Sequence, residues 1–125
     1  MKLKMYQVDA FADKLFSGNP AAVVILESQL KDDVMQSIAA ENNLSETAFV
    51  SIYKSPVSIR LFTPSIEVDL CGHATLASAH ILFEYYADLA GEEINFDSKS
   101  GNLKITKFDR GLCLKIGRAS CRERV

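Results

Sequence analysis

The stretch CGHATLASAHILFEYYADL, residues 71–89, limits the fold of this chain more than any other segment. Its spacing is helical. Measured from His73 at about 100° per residue, apolar Ala74, Ala77, Ile81, Leu82, Tyr85 and Leu89 cover a wide arc. His80, Glu84 and Asp88 crowd into a narrow stripe. A helix that is apolar around most of its girth has to be covered on nearly every side. The spacing therefore predicts a central helix from Cys71 to about Leu89 with the rest of the chain wrapped around it. At 125 residues the chain is long enough for one domain with a real core.

The covering elements read as strands. Leu3 to Phe11 alternates loosely, and Ala21 to Leu26 is a short aliphatic run suited to a buried strand. Between them lies the turn-rich Ser17-Gly18-Asn19-Pro20. Lys31-Asp32-Asp33 opens a second helix with acids that complement its dipole. Val34, Met35, Ile38 and Ala39 give that helix one apolar face, and Asn42-Asn43 is a left-handed stop. Thr47–Tyr53 and Val57–Thr63 read as a hairpin around Ser55-Pro56. Ile94–Asp97, Asn102–Lys107 and Leu112–Ile116 read as further strands, with turns at Ser100-Gly101 and Asp109-Arg110-Gly111. About seven strands on one central helix, with a second helix outside, is an α+β architecture rather than a doubly wound sheet.

Composition removes several function classes. Apolar residues make up 48% and charged residues 24%, with a formal charge of −2. With no basic stripe, a nucleic-acid partner is not expected. The longest aliphatic run is too short to span a bilayer, and the start MKLKMYQVDAF has no apolar core of a signal peptide. The three cysteines match neither a disulfide framework nor a zinc ribbon, so a reducing cytoplasm is the expected location. No metal is expected either. His73 and His80 lie roughly 10 Å apart along one helix, and His80 with Glu84 supplies two ligands at most.

Three places carry possible chemistry. Cys71 at a helix start has its thiol acidified by the dipole, although a cysteine there more often only packs. Gly72-His73-Ala74 offers free backbone N–H groups, an anion site suited to a small carboxylate, with His73 beside it to hold or protonate a neighbouring atom. A histidine merely capping the helix accounts for the same residues. Glu46, where Asn42-Asn43-Leu44-Ser45 passes into a strand, becomes a general acid or base once burial raises its pKa, and is otherwise an exposed loop glutamate.

Taken together, FSGNPAAVV (16–24), NLSETAFV (43–50), RLFTPSIEVDLCGHATLASAHIL (60–82) and SGNLKI (100–105) resemble the phenazine-biosynthesis isomerase-like, or PhzF-like, family of the diaminopimelate epimerase superfamily. The resemblance runs from about residue 4 to 116. It implies a fold of two similar halves, each a mixed or antiparallel β-roll around a central helix, with the active site between them. It implies proton transfer on a small carboxylic acid without a cofactor, in a homodimeric parent protein. Glu46 takes the role of the proton-shuttling glutamate and His73 that of a second active-site group. Gly72 and Ala74 fall at the substrate carboxylate, and Asn19 and Ser45 border the cleft. Cys71 aligns with a catalytic cysteine of related racemases. The glutamate of the "SET" motif favours the isomerase branch, with Cys71 as a packing residue.

Full members of that family are about twice as long. Residues 1–116 are accordingly expected to form its N-terminal half and to be inactive without the second. Three of the five arginines fall in the last eight residues, RASCRERV, and residues 117–125 read as a non-native, disordered tail. Two other readings stay open: a cysteine-dependent amino-acid racemase or epimerase, and a non-catalytic half-domain that binds a partner.

Overall fold

The computed structural model describes residues 3–8, 20–108, 111–116 and 123–124. Its elements run β1 (Lys4–Val8), β2 (Ala21–Leu26), α1 (Asp32–Asn42), β3 (Glu46–Ser51), β4 (Ser58–Phe62) and β5 (Glu67–Val68). They continue with α2 (Gly72–Tyr85), α3 (Ala87–Ala90), β6 (Glu93–Ser98), β7 (Gly101–Phe108), β8 (Gly111–Ile116) and β9 (Glu123–Arg124). The strands form one sheet in the order β1-β2-β3-β4-β6-β7-β8-β9, with β5 paired to β4 outside that path. Two neighbouring pairs are parallel, β2 with β3 and β4 with β6, and each is joined through a helix, as parallel pairing requires. The α+β class and the mixed sheet are as the sequence predicts.

The sheet curls around α2. The helix packs against β2 and β3 near one end of the strand order and against β8 near the other. One helix reaches both regions only if the sheet bends round it. The main core joins Val23, Ile25, Ala48, Val50, Ile59 and Leu61 to Leu76, Leu82, Phe96 and Ile105, all buried. A second cluster lies on the opposite face of the β2-β3-β4 region. There Val24, Leu26, Phe49 and Phe62 meet Met35 and Ala39 of α1. Strand β2 is therefore buried on both faces along its whole length, which is why its sequence, AAVVIL, shows no polar alternation. Strand β6 has solvent on one face and alternates, with Ile94 and Phe96 inward.

The first helix starts at its two aspartates and ends with Asn43 in the left-handed region (φ 51°), its N–H bonded to the Ala39 carbonyl at 3.2 Å. Val34, expected on its apolar face, is 38% exposed. The central helix is shorter than the periodicity predicts. It stops at Tyr85, Tyr86 leaves helical geometry (φ −132°, ψ 45°), and Ala87–Ala90 form a separate turn. The cause is aromatic packing on β1. Tyr85 stacks on Tyr6 with ring centres 5.2 Å apart, and the Tyr86 hydroxyl lies 3.4 Å from the Tyr6 hydroxyl. Consecutive residues of a continuous helix point about 100° apart and do not face one partner together. Tyr85 and Leu89, counted in the apolar arc, are 64% and 52% exposed.

Two hydroxyls within α2 are satisfied by the helix's own carbonyls. Ser78 donates to the Ala74 carbonyl at 2.7 Å, and Thr75 Oγ1 to the Cys71 carbonyl at 2.8 Å. Outside, Arg60 of β4 ties three elements together. Its guanidinium makes a two-pronged pair with Glu67 of β5 (2.7 and 2.8 Å) and reaches Asp32 of α1 at 2.6 Å. Lys99 adds a contact to Glu67 at 3.0 Å.

Of the segment 117–125, Glu123 and Arg124 lie within the described residues and pair with Leu114 and Cys113 of β8. Strand β8 has an open edge that extended chain can join. Cys71 is a free thiol, whereas Cys113 is disulfide-bonded, which the odd cysteine count did not suggest.

Candidate active site at the start of the central helix

Glu46 is the first residue of β3 and stands in register with Ala21, the first residue of β2. The register places the ends of two parallel strands side by side, with a half-buried carboxylate at their mouth. The turn before it is anchored by Asn42, whose Nδ2 donates to Thr47 Oγ1 at 3.2 Å. Ser45, next to Glu46, is exposed. Asn19 lies outside the described residues.

The start of α2 faces this carboxylate. Cys71 is the N-cap, in extended geometry, and its side chain makes no capping hydrogen bond. The first helical N–H groups, those of Gly72, His73 and Ala74, have no acceptor within the helix. Gly72 and His73 are half-buried, and the His73 Nε2 atom is buried. The Ala74 side chain is fully buried in the core, so Ala74 can offer a ligand only its backbone N–H.

Glu46 lies close enough to Cys71 to act on its thiol. Burial, first, pushes the Cys71 thiol up to about 11, and the charge and hydrogen bond of Glu46 push in the same direction. The Ala74 and His73 N–H groups pull the other way and lose. The sequence suggested an acidified thiol at a helix start. The dipole effect is present, but desolvation and a neighbouring carboxylate outweigh it. A thiol of this kind is protonated at neutral pH and is a poor nucleophile.

The structure thus brings Glu46, Cys71, Gly72, His73 and the Ala74 amide together. The influence of Glu46 on Cys71 was missed in the sequence because the two residues are brought near each other only by packing of α2 on β3. No signal along the chain marks it. Among the described residues, no group of three His, Cys, Asp or Glu side chains is placed to hold a metal ion. The arrangement offers one carboxylate for moving a proton and a set of backbone amides for an anion beside it.

A β-roll around one helix, with a glutamate facing the helix start, defines an epimerase-like half. Residues 8–117 match the family described as phenazine biosynthesis-like protein, PhzC-PhzF, and the chain belongs to that family. It is 55% identical over 114 residues to an uncharacterized isomerase of Pseudomonas aeruginosa, covering 91% of this chain and 43% of that protein. A crystal structure of a PhzF family protein from Enterococcus faecalis superimposes with a TM-score of 0.83 at 53% identity, covering 91% of this chain and 44% of that one. A second, described as a predicted epimerase from Pseudomonas aeruginosa, gives 0.66 at 27% identity, covering 88% and 40%. The chain spans less than half the length of each of these proteins.

Proposed function

We propose that the whole protein is a cofactor-independent isomerase that moves a proton on a small carboxylic acid. Glu46 carries the proton, and the N–H groups at the start of α2 hold the substrate carboxylate beside His73. The observation that carries this reading is the half-buried Glu46 carboxylate facing the uncapped start of the central helix. The isomerase name of a relative more than half identical over this stretch supports the reaction class. Asn19 and Ser45 are assigned to the rim of the cleft. A homodimer in the cytoplasm is the proposed form. No described helix is long and apolar enough to cross a membrane.

The chain of 125 residues alone supplies one side of such a site, and we assign it no turnover by itself. Positioning and water exclusion need the far wall. The test has two parts. Titrating the chain with small carboxylates should move the amide resonances of Gly72, His73 and Ala74. In the whole protein, deuterium uptake beside a substrate carboxylate should fall ~10²–10⁴-fold in Glu46→Gln. Activity within about twofold of wild type would return Glu46 to a surface role.

A cysteine-dependent racemase is the second reading. The protonated, half-buried state of Cys71 weighs against it. Loss of exchange after alkylation of Cys71, with Glu46→Gln still active, would favour it. A non-catalytic half-domain would show neither exchange nor carboxylate binding.

A further inference from the structure

The motif SGNLKI has no task in the proposed reaction, yet its first residue, Ser100, lies in the turn between β6 and β7. That turn is organised by its own serines. Ser98 Oγ donates to the Gly101 carbonyl at 2.7 Å and accepts from the Ser100 N–H at 3.1 Å. Gly101 sits at φ 92°, a conformation that favours glycine. Two consecutive residues of the turn reach the approach to α2. Lys99 Nζ lies 3.0 Å from Glu67 Oε1. Ser100 Oγ donates to the Asp69 carbonyl at 3.1 Å, across 31 positions of chain. Asp69 stands just before Leu70 and the N-cap, Cys71.

The approach has few ties of its own. Strand β5 is 2 residues long and pairs with β4 at Glu67 and Val68. Asp69 and Leu70, which follow it, are exposed, and Gly72 has no side chain to pack. Further along, the Cys71 carbonyl accepts from the Thr75 N–H, and the Ala74 side chain is buried. The first N–H groups of α2 are therefore held from the helix side by packing and from the strand side by the turn.

We infer that Ser100 is a positioning residue: its hydroxyl clamps the Asp69–Leu70 peptide and so fixes the direction in which the N–H groups of Gly72 and His73 point. The clamp stands on the contacts of the turn. Its effect on binding rests on the reading of the α2 start as the holder of a carboxylate.

The 125-residue chain is compared with Ser100→Ala and Ser100→Thr by amide resonances and backbone order parameters, without and with sodium acetate as the probe. The Leu70 N–H belongs to the planar peptide group whose oxygen Ser100 binds, so its resonance reports the bond directly. Ser100→Ala should shift Leu70 and lower the order parameters from Leu70 to His73. Leu76 to Leu82 should stay as in wild type, which a general loosening of the fold would not allow. Ser100→Thr keeps the hydroxyl and should restore wild-type values. Acetate should bind Ser100→Ala about 2–10-fold more weakly, the range that one hydrogen bond supplies. A Leu70 resonance and order parameters unmoved by Ser100→Ala overturn the clamp, and so does a Thr variant as altered as Ala. Wild-type acetate affinity in Ser100→Ala overturns the positioning role. If acetate moves no amide of the wild type, the proposed function fails, while the Leu70 resonance still decides the clamp.

Discussion

At the scale of single residues, Cys71 shows how a side chain's surroundings reverse the expectation from its position. A helix start favours thiolate, yet burial and Glu46 keep the thiol protonated to about pH 11. This has a consequence for stability. Above pH ~9 the unfolded thiol ionises while the folded one does not, so the unfolded state binds fewer protons and stability falls. A gap of roughly two pKa units corresponds to about 2–3 kcal/mol, lost as pH rises through the folded value. Tyr86, pushed up to about 12 by burial and then by its hydrogen bond to Tyr6, acts in the same direction at still higher pH. Urea midpoints measured from pH ~8 to ~11 should fall for wild type and fall less for Cys71→Ser. Equal slopes would mean that the thiol is solvated. Thr75→Val, which removes one of the two bonds to the Cys71 carbonyl, should cost about 1 kcal/mol in the same assay.

At the scale of elements, α2 is the part on which everything else is folded. Ala74 to Ala79 are buried without a break, and Leu76 is 1% exposed. Leu76→Ala should therefore cost about 2–5 kcal/mol, measured by urea unfolding, because packed neighbours on several strands cannot all relax into the space. A cost below about 1 kcal/mol would mean that the sheet does not close around the helix there. The existence of α2 was legible from its periodicity, and so was its solvent stripe, since His80, Glu84 and Asp88 are all exposed. Its end was not. Leu89 continues the spacing, but two tyrosines both engaging Tyr6 end the helix at Tyr85. That partner lies 79 residues away from Tyr85, beyond any local pattern.

At the scale of the molecule, Arg60 holds α1, β4 and β5 in one arrangement. Its hydrogen bonds lower the pKa of Glu67 and of Asp32 below the ordinary carboxylate range. For a depressed carboxylate the stability is present above the unfolded pKa of about 4.5 and is lost as pH falls through the lower folded value. Asp32 is too exposed to count for much. Glu67 is the partner that matters, with 15% of its side chain exposed. Arg60→Ala should cost about 1–2 kcal/mol at pH 7, part of it from the lost contact of the guanidinium with Phe62. The difference from wild type should shrink below pH ~4, once Glu67 is protonated in both. Thermal melts at pH ~7 and ~3 separate this from a pH-independent packing loss.

The sequence by itself determined the class of fold, because periodicity is a local property. A helix apolar all round, a strand without polar alternation and an asparagine stop each state what kind of neighbour they need. It also determined Glu46 and the Gly72-His73 helix start as candidates, since both sit at places where backbone geometry changes. The tertiary structure alone decided that these two candidates lie near each other, because 25 residues of intervening chain fold back through a hairpin and a short strand before α2 begins. It alone decided the state of Cys71, since a pKa depends on what desolvates a group and which charge lies beside it. Those neighbours are supplied by β3 and by the core, and neither is written next to Cys71 in the chain.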